Sequence, residues 1–352
     1  MIKRLKYIVI SLNILMLIGL TGCGKSSTDA KLAQGMDDII SQEYDAALVL
    51  FNEAYSEGAD AEQVYRGIGL AYMGKEEYGK AITAFKTALE AAGMFPGDME
   101  YDINYYMAVS YFHLGEFNQA VEIYDGIIGL RPKDINAYFL RGTMKLYMGD
   151  AEGAMEDFDK TVSFQKNNYS MYLDVYACMT ERGYAAEAIK YLDVVMTADT
   201  SDISDYDKGR LCYYQGDYDQ GCNYLERARK NADDDKTIIE LLSDCYKQTG
   251  QYEYAAVIYN TYLTSHDDPD MYNQLGICYM QQGDYNAALS AFQSGIDVKE
   301  NNTCMQSLLL NEVACYEYLL DFPSAQAKLE DYMAIYPLTD DLKREYAFLT
   351  TR

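Results

Sequence analysis

Gly19, Gly24, Lys25 and Ser26 stand in the spacing G-x-x-x-x-G-K-S, which is the spacing of a phosphate-binding loop. Such a loop works only where a buried strand leads in and a helix leads out, so that backbone N–H groups converge on the phosphates. That context is missing here, and the run straddles a proteolytic cut argued below, so no nucleotide is expected. Asp205-Tyr206-Asp207-Lys208-Gly209 and Asp217-Tyr218-Asp219-Gln220-Gly221 resemble the start of a calcium loop, but each glycine arrives one place early and no closing glutamate follows. Asp233, Asp234 and Asp235 read as solvated linker. The two histidines, His113 and His266, are far apart in sequence, and no Gly-x-Ser-x-Gly elbow is present. With no nucleophile, base or metal set assembled, the chain reads as a non-enzyme that needs no cofactor.

Eight cysteines carry thiol chemistry. Cys178, Cys245, Cys278 and Cys315 recur at one place of a repeat and read as small buried hydrophobes. Cys222 and Cys245 come from neighbouring helices and are the pair to test for a disulfide. No C-x-x-C or Cys/His metal spacing appears, so no metal site is expected.

The N-terminus has its own chemistry. Lys3, Arg4 and Lys6 precede an apolar run from Tyr7 to Ile18, too short for an ordinary spanning helix, and small residues follow. That is the build of an export signal. Leu20-Thr21-Gly22-Cys23 resembles a bacterial lipobox, which implies cleavage before Cys23 and lipidation of its sulfur; an uncleaved anchor is the alternative. Either way the chain sits at a membrane, exported and held to the cell membrane or envelope.

Cleavage would remove three basic residues and no acidic ones, leaving a net charge of −29 over 330 residues. Such a surface repels nucleic acid and anionic head groups, so nucleic-acid binding is not expected. The acids solvate outward faces and turns, or meet a basic partner.

Everything else in the chain is periodic. Tyr272, Leu275, Gly276 and Tyr279 form one helical stripe, Gly283 and Asp284 break it, and Tyr285, Ala288, Leu289 and Phe292 form the next. The small residue of the second stripe recurs as Ala47, Ala81, Ala120, Ala154, Ala188, Gly221, Ala255, Ala288 and Ala325, 33 to 39 residues apart. Four residues after each stands a large one: Phe51, Phe85, Tyr124, Phe158, Leu192, Leu225, Tyr259, Phe292 or Leu329. Turn glycines at 115, 149, 183, 216, 250 and 283 suit left-handed backbone. Each unit is a helical hairpin too small to cover its own apolar stripes, so the hairpins must stack.

On these residues the chain resembles the tetratricopeptide repeat family, most closely at "YNQLGICYMQQGDYNAALSAFQSGI" (272–296) and "YRGIGLAYMGKEEYGKAITAFKTAL" (65–89). The resemblance implies an all-α, right-handed α-solenoid of about nine hairpins with a C-terminal capping helix. The first-helix glycine becomes Ala108, Tyr176, Ser243 or Val313 in some units, where different helix spacing is expected.

The resemblance also implies that first helices line a concave groove for an extended or helical peptide. By register that groove is Arg66, Tyr105, Phe112, Phe139, Tyr147, Tyr206, Arg210, Tyr213, Tyr214 and Lys247. Leu70, Tyr105, Val109 and Phe139 occupy places where a clamp for acidic tails needs basic and amide residues, so an apolar or mixed peptide surface is expected.

The organisation read from sequence is a lipoprotein signal peptide (1–22), lipidated Cys23 and a short tether (23–29), units one and two (30–92), an inserted bend between subdomains (93–100), units three to nine (101–337), and a cap (338–352). Thr339 should begin the cap, with Leu342, Tyr346 and Leu349 inward and Lys343, Arg344 and Glu345 in water. The reading is a membrane-anchored scaffold or adaptor for a protein or peptide in a cell-envelope complex. A solute-capturing lipoprotein for peptides or glycans, and an accessory subunit of a membrane enzyme, stay open beside it; the absence of tryptophan tells against glycan platforms.

Overall fold

The computed structural model describes residues 27–93, 96–232, 234–298 and 302–352, and everything described is helix, turn or loop. The chain divides into two units between Val194 and Val195. The first carries five hairpins. Their helices are α1 (Ser27–Ile40) and α2 (Tyr44–Ser56), α3 (Ala61–Gly74) and α4 (Tyr78–Ala91), α5 (Asp98–His113) and α6 (Phe117–Leu130), α7 (Ile135–Tyr147) and α8 (Ala151–Phe164), and α9 (Tyr169–Glu181) and α10 (Ala185–Met196). The second carries α11 (Asp205–Gln215) and α12 (Tyr218–Arg229), α13 (Lys236–Gln248) and α14 (Tyr252–Leu263), α15 (Pro269–Gln282) and α16 (Tyr285–Asp297), α17 (Met305–Tyr318) and α18 (Phe322–Met333), and then α19 (Asp340–Leu349).

Each hairpin turns in the same way. One residue, two places before the second helix, takes a left-handed conformation that lets the turn close. Six of these are the glycines expected, from Gly115 at φ 74° to Gly283 at φ 78°. The other three are Gln42, Glu76 and Leu320, at φ 63°, 59° and 61°, where a side chain bears the strain. Helix starts are set by acids whose side chains accept from the first-turn N–H groups. Asp60, Asp134, Asp235 and Asp268 cap first helices, and Asp150, Asp217, Asp284 and Asp321 cap second helices. Part of the chain's acidity is therefore helix punctuation, each cap being worth about 1 kcal/mol. Asp235, read as solvated linker, is one of these caps.

The core lies where the repeat places it. All nine large second-helix residues are at most 3 % exposed, and the eight alanines of the small position are fully buried. The large residue packs where the facing first helix is thin: a Cβ on Gly142 would come 2.9 Å from the Phe158 ring. Where that glycine is replaced, its partner often changes with it: Tyr176 and Val313, both buried, face the register of Leu192 and Leu329 instead of phenylalanine. Residue volume thus compensates at places where altered helix spacing was expected.

No hairpin keeps its core to itself. Ala81, Ile82, Phe85 and Ala88 of α4 share a cluster with Ile103 and Met107 of α5. Leu309 and Val313 of α17 share one with Leu329 of α18 and Leu349 of α19. Neighbours complete one another through this sharing.

Two boundary expectations change. Helix is described from Ser27, so residues 27–29 are helical rather than tether. The insertion at 93–97 does not separate the units: α4 and α5 pack together across it, with Phe85 stacked on Tyr106 at 6.1 Å, and the division falls within α10. In the cap, Thr339 accepts from the Leu342 N–H at 3.3 Å and Leu349 is 2 % exposed, as expected. Lys343 and Arg344 are exposed, but Glu345 is half-buried against Glu317.

Candidate functional site

Within each unit, first helices touch first helices: α1 lies against α3, α3 against α5 and α7 against α9, while α11 lies against α13 and α15 against α17. Side chains link α5 to α7 through Phe112 and Tyr147, and α13 to α15 through Lys247 and Gln274, so the helices form a wall in each unit, and the ten residues assigned to a groove all lie on it or beneath it.

In the first unit the wall is tied by polar bridges between successive hairpins. Arg66 of α3 donates through Nε to Asp102 of α5 at 3.0 Å and forms an ion pair with it, with the guanidinium over the Tyr106 ring. Tyr105 donates to Asp134 at 2.6 Å, the same carboxylate that caps α7. Burial, then that bond, pushes the Tyr105 hydroxyl far above the usual tyrosine range, so it stays a donor. Phe112 meets Tyr147 edge-on at 5.0 Å and Phe117 at 5.8 Å, and Arg182 caps the Tyr147 ring at 3.9 Å. His113 stacks on Tyr78 at 4.4 Å.

In the second unit Tyr206 and Tyr213 pack on the core shared by α12, α13, α14 and α15. Tyr213 touches Tyr214 and Tyr218 at 5.8 and 5.6 Å, both edge-on. Arg210 is 6 % exposed and paired with Asp207 at 3.2 Å. Lys247 is held by Asp244 at 2.7 Å and donates to Gln274 of α15 at 2.8 Å. Asn311 of α17 donates to Asn273 of α15 at 2.8 Å.

Two assignments are corrected by this geometry. Phe139 is 5 % exposed and meets the Phe158 ring at a tilt, with centroids 5.7 Å apart, so it is core beneath the wall. Arg210 is buried with its carboxylate and presents no open cation. The three groove cations each have a carboxylate partner, which leaves the half-buried aromatics Tyr105, Phe112, Tyr147, Tyr206, Tyr213 and Tyr214 as the wall's distinctive surface. The partners Asp102, Asp134, Gln274 and the Asn273–Asn311 pair were missed. Only Asp134 carried a sequence signal, as an acid just before a first helix.

The other chemical candidates have structural roles. Asp207 is buried and bonded to Ser204, Asp217 caps α12, and Asp205 pairs with Arg227 at 3.1 Å. None of the seven described cysteines is in a disulfide, and all seven are buried. Among the described residues no group of three His, Cys, Asp or Glu could hold a metal, and no helix is long and apolar enough to cross a membrane. Cys23 and the phosphate-loop match lie outside the described residues.

Tetratricopeptide repeat models match residues 66–135, 206–270 and 269–302. This chain is a tetratricopeptide repeat protein. Curated relatives include the TPR repeat-containing protein MJ1428 of Methanocaldococcus jannaschii, 25 % identical over 249 residues. They also include the BBSome complex member BBS4 of Bos taurus, 23 % identical over 212 residues. The matches cover 66 % and 60 % of this repeat protein but only 42 % and 40 % of those relatives. Among solved structures, human IFIT1 superposes with a TM-score of 0.55 at 14 % identity, over 99 % of this chain and 85 % of that one, which shows the fold alone. Repeat scaffolds of this family mediate protein interactions, and the fold is typically non-enzymatic.

Proposed function

We propose that this repeat protein is a lipid-anchored adaptor of the cell envelope, which holds a protein or peptide partner along its first-helix wall. The observation that carries the reading is the composition of the first-helix wall in each unit: half-buried aromatics on α5 and α7 in the first and on α11 in the second, with the assigned cations paired to carboxylates. Rigid aromatic rings bury large area at little entropic cost. An apolar or mixed peptide surface fits such a wall better than an acidic tail, because no open basic clamp stands among the assigned residues. The basic head, apolar run and Leu20-Thr21-Gly22-Cys23 support export and lipidation of Cys23. BBS4, a curated relative, is by name a member of a multiprotein complex, which agrees with an adaptor role.

The binding half is tested with Tyr213→Ala/Tyr214→Ala against Tyr213→Phe/Tyr214→Phe, by co-purification of the lipidated chain with its partner from native membranes. The phenylalanine pair keeps the ring packing. The alanine pair should lose partner at least tenfold while retaining its helical circular dichroism, and unchanged recovery would sink the reading. The anchoring half is tested by Cys23→Ser, which should move the chain to the soluble fraction; retention in the membrane would overturn lipidation.

A further inference from the structure

Three cysteines adjoin Gly221 in the second unit. A Cβ built at Gly221 would stand 3.0 Å from Cys245 Sγ and 3.7 Å from Cys212 Cβ, and Cys222 is the next residue along α12. Cys222 and Cys245 share one core cluster, are 6 % and 0 % exposed, and their thiols are hydrogen-bonded to one another. A small residue at 221 is what lets the Cys245 sulfur approach α12 so closely.

We propose that Cys222 and Cys245 are a reversible redox pair, which a low-molecular-weight disulfide converts to a covalent latch between hairpin α11–α12 and hairpin α13–α14. The step is thiol–disulfide exchange. Cys222 Sγ attacks one sulfur of the oxidant RSSR, its S–S bond breaks, and a thiolate RS⁻ leaves and takes the Cys222 proton. Cys245 Sγ then attacks Cys222 Sγ of the mixed disulfide, and the second RS⁻ leaves with the Cys245 proton. Two protein thiols are oxidised to one disulfide while one RSSR is reduced to two RSH.

The surroundings set the order and the selectivity. The hydrogen bond from Cys245 favours thiolate at Cys222 and draws its pKa below the ordinary thiol range, against the opposing effect of burial. The same bond, then burial, pushes Cys245 far up, so it waits as the resolving thiol. Elsewhere burial is the largest influence and disfavours thiolate: Cys178 and Cys315 are pushed up to about 12 and Cys278 to about 11. The latch would join the helix after Tyr213 to the helix bearing Lys247, so oxidation would fix one part of the wall.

The test uses the full chain, reduced and then equilibrated in mixtures of glutathione and glutathione disulfide, with free thiols trapped by alkylation and peptides mapped by mass spectrometry. The expected result is paired loss of two thiols, one linked peptide joining Cys222 to Cys245, reversal by dithiothreitol, and a melting temperature raised by about 5 °C. Cys245→Ser should stop at a stable mixed disulfide between Cys222 and glutathione. A bond using Cys212, mixed disulfides in the wild type with no linked peptide, or linkage only in urea would each overturn the proposal. If the serine variant does not fold, the wild-type map still decides.

Discussion

Replacing Gly142 with alanine sets two energies of opposite sign against each other. Gly142 lies inside α7, where alanine should be favoured by about 1 kcal/mol on backbone entropy alone. Its new Cβ, however, would stand 2.9 Å from Phe158 Cε1, 3.1 Å from the Ala154 carbonyl oxygen and 3.2 Å from Asp157 Cβ. Carbon atoms prefer about 3.5–4.0 Å, so the ring must shift by more than half an ångström. The ring cannot move outward, because Phe158 is fully buried, and the carbonyl belongs to the helix backbone. Overpacking of this kind costs about 1–3 kcal/mol, so the net change should be a loss of up to about 2 kcal/mol. Gly79→Ala on α4 is the control: its Cβ meets nothing within 4 Å, so it should gain about 0.5–1 kcal/mol. Urea unfolding followed by circular dichroism, with hydrogen exchange on α7 and α8, reads both variants. Adding Phe158→Leu to Gly142→Ala should cost less than the two single losses together, because the smaller side chain vacates the contact. A stabilised Gly142→Ala, or strict additivity in the pair, would refute the claim that first-helix glycines exist to seat the second-helix ring.

Two further outcomes follow from the turns and the cap. Leu320→Gly should stabilise the last hairpin by about 1 kcal/mol, since Leu320 is 74 % exposed and its φ of 61° suits glycine; Gly283→Ala should lose a similar amount, both read by urea midpoint. Glu317 holds its proton up to about 7, pushed from its ordinary 4.5 first by burial and then by the hydrogen bond and charge of Glu345. Between those values the folded chain binds more protons than the unfolded one, so stability falls as pH rises from about 4.5 through about 7. Glu345→Gln should flatten that fall and strengthen protection of α19 at pH 8; an unchanged pH slope would count against the carboxyl pair.

Much of this fold was legible because a repeat measures itself nine times. The spacing of Ala47 to Ala325, with the large residue four places on, located the core of every hairpin. Turn position was legible wherever glycine marked it, but Gln42, Glu76 and Leu320 adopt the same geometry without the residue that signals it. Asp235 looked like linker because an N-cap and a solvated acid have the same composition; only the helix that follows distinguishes them. The wall was harder to read. Register places Phe139 and Arg210 on the first helix, yet whether such a side chain points to solvent or into the core depends on the facing helix. Phe158 packs against one and Asp207 pairs with the other. Polar ties such as Arg66 to Asp102 span 36 residues, and no local pattern announces a partner that distant. The division at Val194 was invisible for a related reason: the 93–97 insertion interrupts the sequence period, while α4 and α5 still pack across it.

The central claim is that the first-helix wall of this repeat protein, rather than the outward second helices, receives a protein partner. A photo-crosslinking residue placed at Tyr214 on α11, and separately at Val257 on α14, which is 58 % exposed, tests it in native membranes. Adducts with a defined protein from position 214 and none from position 257 are the predicted result. Adducts from position 257 alone would contradict the account.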